Sequence, residues 1–161
     1  RVMQLPTFKA LAAGDDLVEL REFPSEEKPN RKGSLLVRPI GIPILLEAGT
    51  RALEKSDLDT IFKKLARFDR EAGFEAYRPN SIFYMVTYDA RNRRMDPKQA
   101  KVNLAEDLLA YLLVGGPSEV RDTLSEKVVE MRSFEDLWMD YDGNQSPRDD
   151  HPTLPIVPLL P

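Results

Sequence analysis

Three features of the sequence predict an α+β domain. A strand-like run occupies residues 81–88, an amphipathic helix precedes it, and two helices follow it with only Gly115-Gly116 between them. Along the chain the order is strand, broken strand, helix, strand, helix, helix, without the regular alternation of a doubly wound α/β fold. The expected architecture is a small sheet of two to three strands packed on three to four helices, ending in a helix hairpin and carrying extended terminal arms. The expected bounds are an N-terminal arm at 1–14, a single α+β domain at 15–140, and an acidic turn with a proline-rich extended arm at 141–161. A length of 161 residues fits one such domain, which buries about two-thirds of its unfolded surface.

Residues 1–14 mix apolar residues with Pro6 and end at Gly14, and they read more easily as an arm than as a helix. Asp16–Phe23 predicts a strand, with Val18 and Leu20 alternating against Glu19 and Arg21. A polar loop, 25–33, closes at Gly33. Leu35–Leu46 is apolar but holds Pro39, Gly41 and Pro43. Proline cannot donate to a ladder, so a broken edge strand or an extended covering segment is expected.

Ser56 opens a helix by capping the amide of Asp59, with Leu58, Ile61, Phe62, Leu65 and Phe68 at three-and-four spacing and Gly73 as its terminal glycine. Ser81–Tyr88, dense in aromatic and β-branched residues, is the best strand of the chain. Asp96-Pro97 then starts a helix to about residue 114, whose stripe is Leu104, Leu108 and Leu112. Pro117 starts the last helix, to residue 140, with the stripe Val120, Leu124, Val128 and Met131. So short a linker makes these two pack as an antiparallel hairpin.

Composition excludes several function classes. Cysteine is absent and His151 is the only histidine, so no thiolate site and no Ser-His-Asp arrangement on a rigid scaffold can be built. A net charge of −4 argues against general nucleic-acid binding. The longest apolar run, Leu108–Val114, is far shorter than the roughly 20 residues that span a bilayer. The start Arg1-Val2-Met3 fits a trimmed or excised terminus, or one left by removal of a secretory or organelle-targeting presequence; the localisation stays open, with an organelle interior as one version.

The segment richest in implication is the C terminus. Pro152, Pro155, Pro158 and Pro161 recur every third residue, which lines them along one edge of a polyproline II rod. Between them stand Leu154, Ile156, Val157, Leu159 and Leu160. Such a rod is too apolar to be a solvated linker and is expected to lie in a hydrophobic groove, with Trp138 and Tyr141 as aromatic residues it could dock against.

Two charged clusters stand out. Asp140, Asp142 and Asn144 have the alternation of a calcium loop, but Gln145 replaces the turn glycine and His151 the closing glutamate. An acidic turn is therefore expected, with weak divalent-cation binding as the alternative. Arg91, Arg93 and Arg94 form a basic patch that reads either as a solvated turn or as an anchor for phosphate, an acidic headgroup or an acidic partner. Asp69, Glu71 and Glu75 sit at a helix end, where solvated structural roles are expected rather than acid–base catalysis.

These readings converge on a non-catalytic structural or adaptor subunit of a larger assembly. It would need no cofactor, bind other protein subunits through its apolar arms, and at most associate peripherally with a membrane complex. Two alternatives stay open: a fragment of a larger enzyme or polyprotein with its catalytic residues elsewhere, and a carboxylate-based enzyme dependent on a divalent metal.

Overall fold

The computed structural model describes residues 2–78, 81–90 and 92–141, of which 132–141 are described as helix backbone alone. The described residues form six α-helices and one two-stranded antiparallel sheet: α1 Pro6–Ala12, α2 Leu17–Arg21, α3 Gly41–Leu53, α4 Leu58–Arg70, β1 Tyr88–Asp89, β2 Arg94–Met95, α5 Gln99–Val114 and α6 Ser118–Tyr141. Tyr88 pairs with Met95 and Asp89 with Arg94. The predicted α+β class and terminal helix hairpin stand, but much of the predicted strand is helix or turn.

The largest correction is at 35–53. Where a broken edge strand is expected, a 3-10 turn at Leu35–Val37 leads into α3. Pro43 is the third residue of that helix, within the first turn, whose amides have no partner inside the helix, so proline costs no hydrogen bond there. Gly41 is required by close approach, since a methyl group there would overlap the carbonyl oxygen of Leu35. α3 is the central helix, packing most extensively against α5. It buries Ile44, Leu45, Ala48 and Ala52, while α5 buries Leu104, Ala105, Leu108, Leu109 and Leu112. The small Ala48 and Ala52, fully buried, let the helices pack closely.

Within the expected strand 16–23, residues Leu17–Arg21 are likewise helical. Asp16 caps α2 by accepting from the amide of Val18 at 2.8 Å, and of its apolar residues only Leu20 is buried. A five-residue helix is too short for its period to separate from alternation. The run 81–88 is a chain of tight turns with strand geometry only at Tyr88. Ile82, Phe83, Met85, Val86, Thr87 and Tyr88 are all buried, which an alternating strand with one wet face would forbid. Its backbone is satisfied locally, with the amides of Val86, Thr87 and Tyr88 all directed at the carbonyl of Phe83. Phe74 and Phe83 stack at 6.0 Å, and Phe68 meets Phe74 edge-on at 4.9 Å.

Within the expected arm, residues 2–12 form a 3-10 turn, Val2–Gln4, followed by α1, rather than an extended segment. Leu5 is fully buried and belongs to the main core. Cap positions also shift. Asp57, not Ser56, caps α4, accepting from the amide and hydroxyl of Thr60 at 2.9 and 2.7 Å. At the other end Ala72, with φ of 60°, takes the left-handed place expected of Gly73. The amides of Ala72 and Gly73 return to the carbonyls of Asp69 and Phe68, a Schellman closure. Helix α5 begins at Gln99, two residues later than expected, and ends as expected at Gly115, φ 72°.

In the hairpin, Leu104, Leu108, Leu112, Leu124 and Val128 are all buried as predicted. Val120, predicted for the same stripe, is exposed. The Nζ of Lys64 donates to the carbonyl of Leu113 at 2.6 Å, so α4 caps the C-terminal end of α5.

Candidate functional site

The turn between β1 and β2 delivers Arg93 to a place the sequence does not foretell. Arg93 has φ of 51°, and its side chain donates to the carbonyl of Pro24, with its charge felt at the Tyr88 phenol. There it joins Arg21, the last residue of α2, and Arg38, just after the 3-10 turn. With Val18, Glu22 and Phe23 these three line an open hollow of about 430 Å³.

Two contacts fix Arg38. Its guanidinium lies 3.9 Å above the centre of the Phe23 ring, and its Nη2 donates to the carbonyl of Arg21. Its Nε is buried without a hydrogen-bond partner. Burial, with the charge of Arg21 beside it, pulls Arg38 down to about 10, so it stays charged at neutral pH. Behind it Tyr88 packs on Phe23 at 4.6 Å, and burial pushes the Tyr88 phenol up against the pull of Arg93. Glu22 is the single acid of the wall and is already held by Arg31 at 3.2 Å and Lys28 at 3.3 Å.

The predicted basic patch is thus divided. Arg94 pairs with Asp89 at 3.8 Å and is not among the residues lining the hollow, and Arg91 lies outside the described residues. Arg21 and Arg38 escape sequence reading because nothing in their spacing relates them to Arg93; only the tertiary fold does.

A second surface lies along α3. Ile42, Leu46 and Leu53 are 37%, 57% and 49% exposed. Gly49 stands between them, with no atom within 4 Å of where a Cβ would be. Beside the end of this row an open groove of about 550 Å³ runs between α3, α5 and the start of α6, lined by Arg51, Glu54, Tyr111, Val120 and Lys127 among others. Arg51 ties its walls together, bonding Glu47 at 2.9 Å, Glu106 at 3.2 Å and Asp107 at 2.6 Å. Burial raises the Glu106 carboxyl despite Arg51.

The carboxylates at the end of α4 have separate structural partners: Asp69 with Thr7, Glu71 with Arg67, and Glu75 with Tyr77 and Arg78. Among the described residues no three side chains of the metal-ligating types converge. The side chains of Trp138 and Asp140, and all of Asp142, Asn144, His151 and the arm from Pro152 to Leu160, lie outside the described residues. No described helix is long and apolar enough to cross a membrane. No protein-family description, curated protein or solved structure matches the chain.

Proposed function

We propose that this protein is a non-catalytic subunit or adaptor of a larger assembly, holding its neighbours through apolar surface. The observation that carries this reading is the outer face of α3. Ile42, Leu46, Gly49 and Leu53 follow one another at the i, i+4, i+7, i+11 positions of a single helical face, the spacing by which a helix docks against a partner groove. A row of exposed aliphatic side chains in a chain with 31% charged residues is a liability unless something covers it. Gly49 leaves a notch in the row that a partner side chain can fill. The proline-spaced aliphatic residues at 152–161 supply a second adhesive element of the same chemistry.

The test uses the full chain, tagged and expressed in its native source, with two variants: Leu46→Lys with Leu53→Lys, and deletion of 152–161. The wild type should recover a reproducible set of partner subunits that both variants lose. The free Leu46→Lys/Leu53→Lys protein should melt within about 0.5 kcal/mol of wild type, as exposed sites do. Recovery of the same partners by both variants would contradict the reading.

A further inference from the structure

We propose that the hollow formed by Arg21, Arg38 and Arg93 over the Phe23 ring is a binding site for the phosphate monoester of a phosphorylated side chain on a partner protein. The three guanidiniums come from three separate stretches of chain, the end of α2, the approach to α3 and the β1–β2 turn, and line one hollow. Like charges repel, so their convergence needs a compensating anion. Among the described residues none of the three is paired with a carboxylate, and Glu22 is occupied by Arg31 and Lys28.

Structural duty does not account for this much charge. Arg38 and Arg93 each donate to one backbone carbonyl, those of Arg21 and Pro24. Helix α2 has only five residues, and the dipole at its end calls for at most one cation. The buried Nε of Arg38 is an orphan donor of the kind a ligand or solvent satisfies. The carbonyl bonds and the Phe23 contact also hold two of the guanidiniums in place in advance, which lowers the ordering cost of binding. Arg93 keeps a left-handed backbone conformation that glycine or asparagine adopts more readily, so its side chain is retained at the expense of local strain.

Phosphate fits this arrangement better than carboxylate does. A phosphate monoester carries about −1.5 to −2 charge and three terminal oxygens, whereas a carboxylate carries one charge and two oxygens. Three planar forks, each able to bond two oxygens, match the former. The hollow, at about 430 Å³, has room for part of the residue that bears the group, with the half-exposed Val18 on its wall. It is open to solvent, whereas sites for free metabolites enclose most of the ligand. A group presented on another surface suits an open hollow, and a net charge of −4 does not suit an anionic membrane.

The test is a fluorescence titration of the full chain at low salt with a labelled, blocked Ala-phosphoserine-Ala peptide. Its controls are the unphosphorylated peptide, the aspartate-containing peptide, and vesicles bearing phosphatidic acid. Saturable binding of the phosphopeptide is expected, weakened about tenfold or more by Arg21→Gln and by Arg93→Gly, since each removes a charge-assisted contact. Arg94→Gln should bind as the wild type does. Arg93→Gly separates binding from folding, because glycine is at home at that backbone angle and the melt should hold. Equal binding of the aspartate peptide, binding to vesicles but not to the phosphopeptide, or unchanged affinity in both Arg21→Gln and Arg93→Gly would each overturn the proposal. Leu46→Lys with Leu53→Lys should leave this affinity unchanged, so this proposal and the α3 docking face stand or fall separately.

Discussion

Thr7 donates both its backbone amide, at 2.7 Å, and its hydroxyl, at 2.6 Å, to the carboxylate of Asp69. Thr7 lies in the first turn of α1, whose preceding residue Leu5 offers no side-chain cap. Asp69 therefore caps α1 from another helix, sixty-two residues away in sequence. This clasp, with Leu5 buried in the main core, ties α1 to the body of the domain rather than leaving an arm.

Removing either half of that arrangement should destabilise the whole domain. Leu5→Ala is expected to cost about 2–5 kcal/mol, and Asp69→Ala about 1–2 kcal/mol through loss of the cap. Denaturant unfolding measures both. A Leu5→Ala change within about 0.5 kcal/mol would show that the segment is peripheral after all.

The same carboxylate gives a pH signature. Burial raises Asp69 above the ordinary 3.8, outweighing the Thr7 bonds. The folded chain then holds this proton more tightly than the unfolded chain. The stability this contributes is full below 3.8 and is lost as pH rises through the raised value. Asp69→Asn does not titrate. Melts of the two proteins from about pH 3.5 to 7 should therefore show the variant gaining on the wild type as pH rises, with a plateau once Asp69 is ionised. A difference that moves the other way would mean that the Thr7 bonds dominate.

Neighbouring positions at the end of α4 should respond with opposite signs. Ala72→Gly relieves a positive φ and should stabilise or be neutral, by up to about 1 kcal/mol. Gly73→Ala would drive a methyl group into the ring of Phe68 and should destabilise by about 1–3 kcal/mol. The two melting temperatures, compared with wild type, decide it.

Within the hairpin, Leu108→Ala should cost about 2–5 kcal/mol, because Leu108 is 1% exposed. Val120→Ala, at an exposed site on the predicted stripe, should stay within about 0.5 kcal/mol. Equal costs would mean that the buried face of α6 includes Val120.

The helices legible in the sequence are those long enough to repeat a pattern: α4, α5 and α6 each present several turns of apolar residues. The misread segments share a different physics. Helix α3 hides behind Pro43, which breaks a strand but is harmless in a helical first turn, and behind Gly41, which serves the contact with Leu35. The 81–88 run is buried on all sides, so its composition says β while its backbone closes on itself. The arginine hollow was legible only in part, at Arg93, since its other two arginines are brought there by elements that sequence periodicity misassigns. On α3 the exposed row is invisible until the segment is known to be a helix, because Ile42, Leu46 and Leu53 share a face only at a period of 3.6.

The most direct test of the adaptor account is side-chain oxidative footprinting of the full protein, free and within the assembly isolated from its native source. The account predicts that oxidation of Leu46 and Leu53 falls several-fold on assembly, while that of exposed Met3, in the 3-10 turn before α1 and not on α3, stays unchanged. Oxidation of Leu46 and Leu53 at the same rate in both states would show that nothing covers the face of α3, and would contradict the claim that this protein works by docking there.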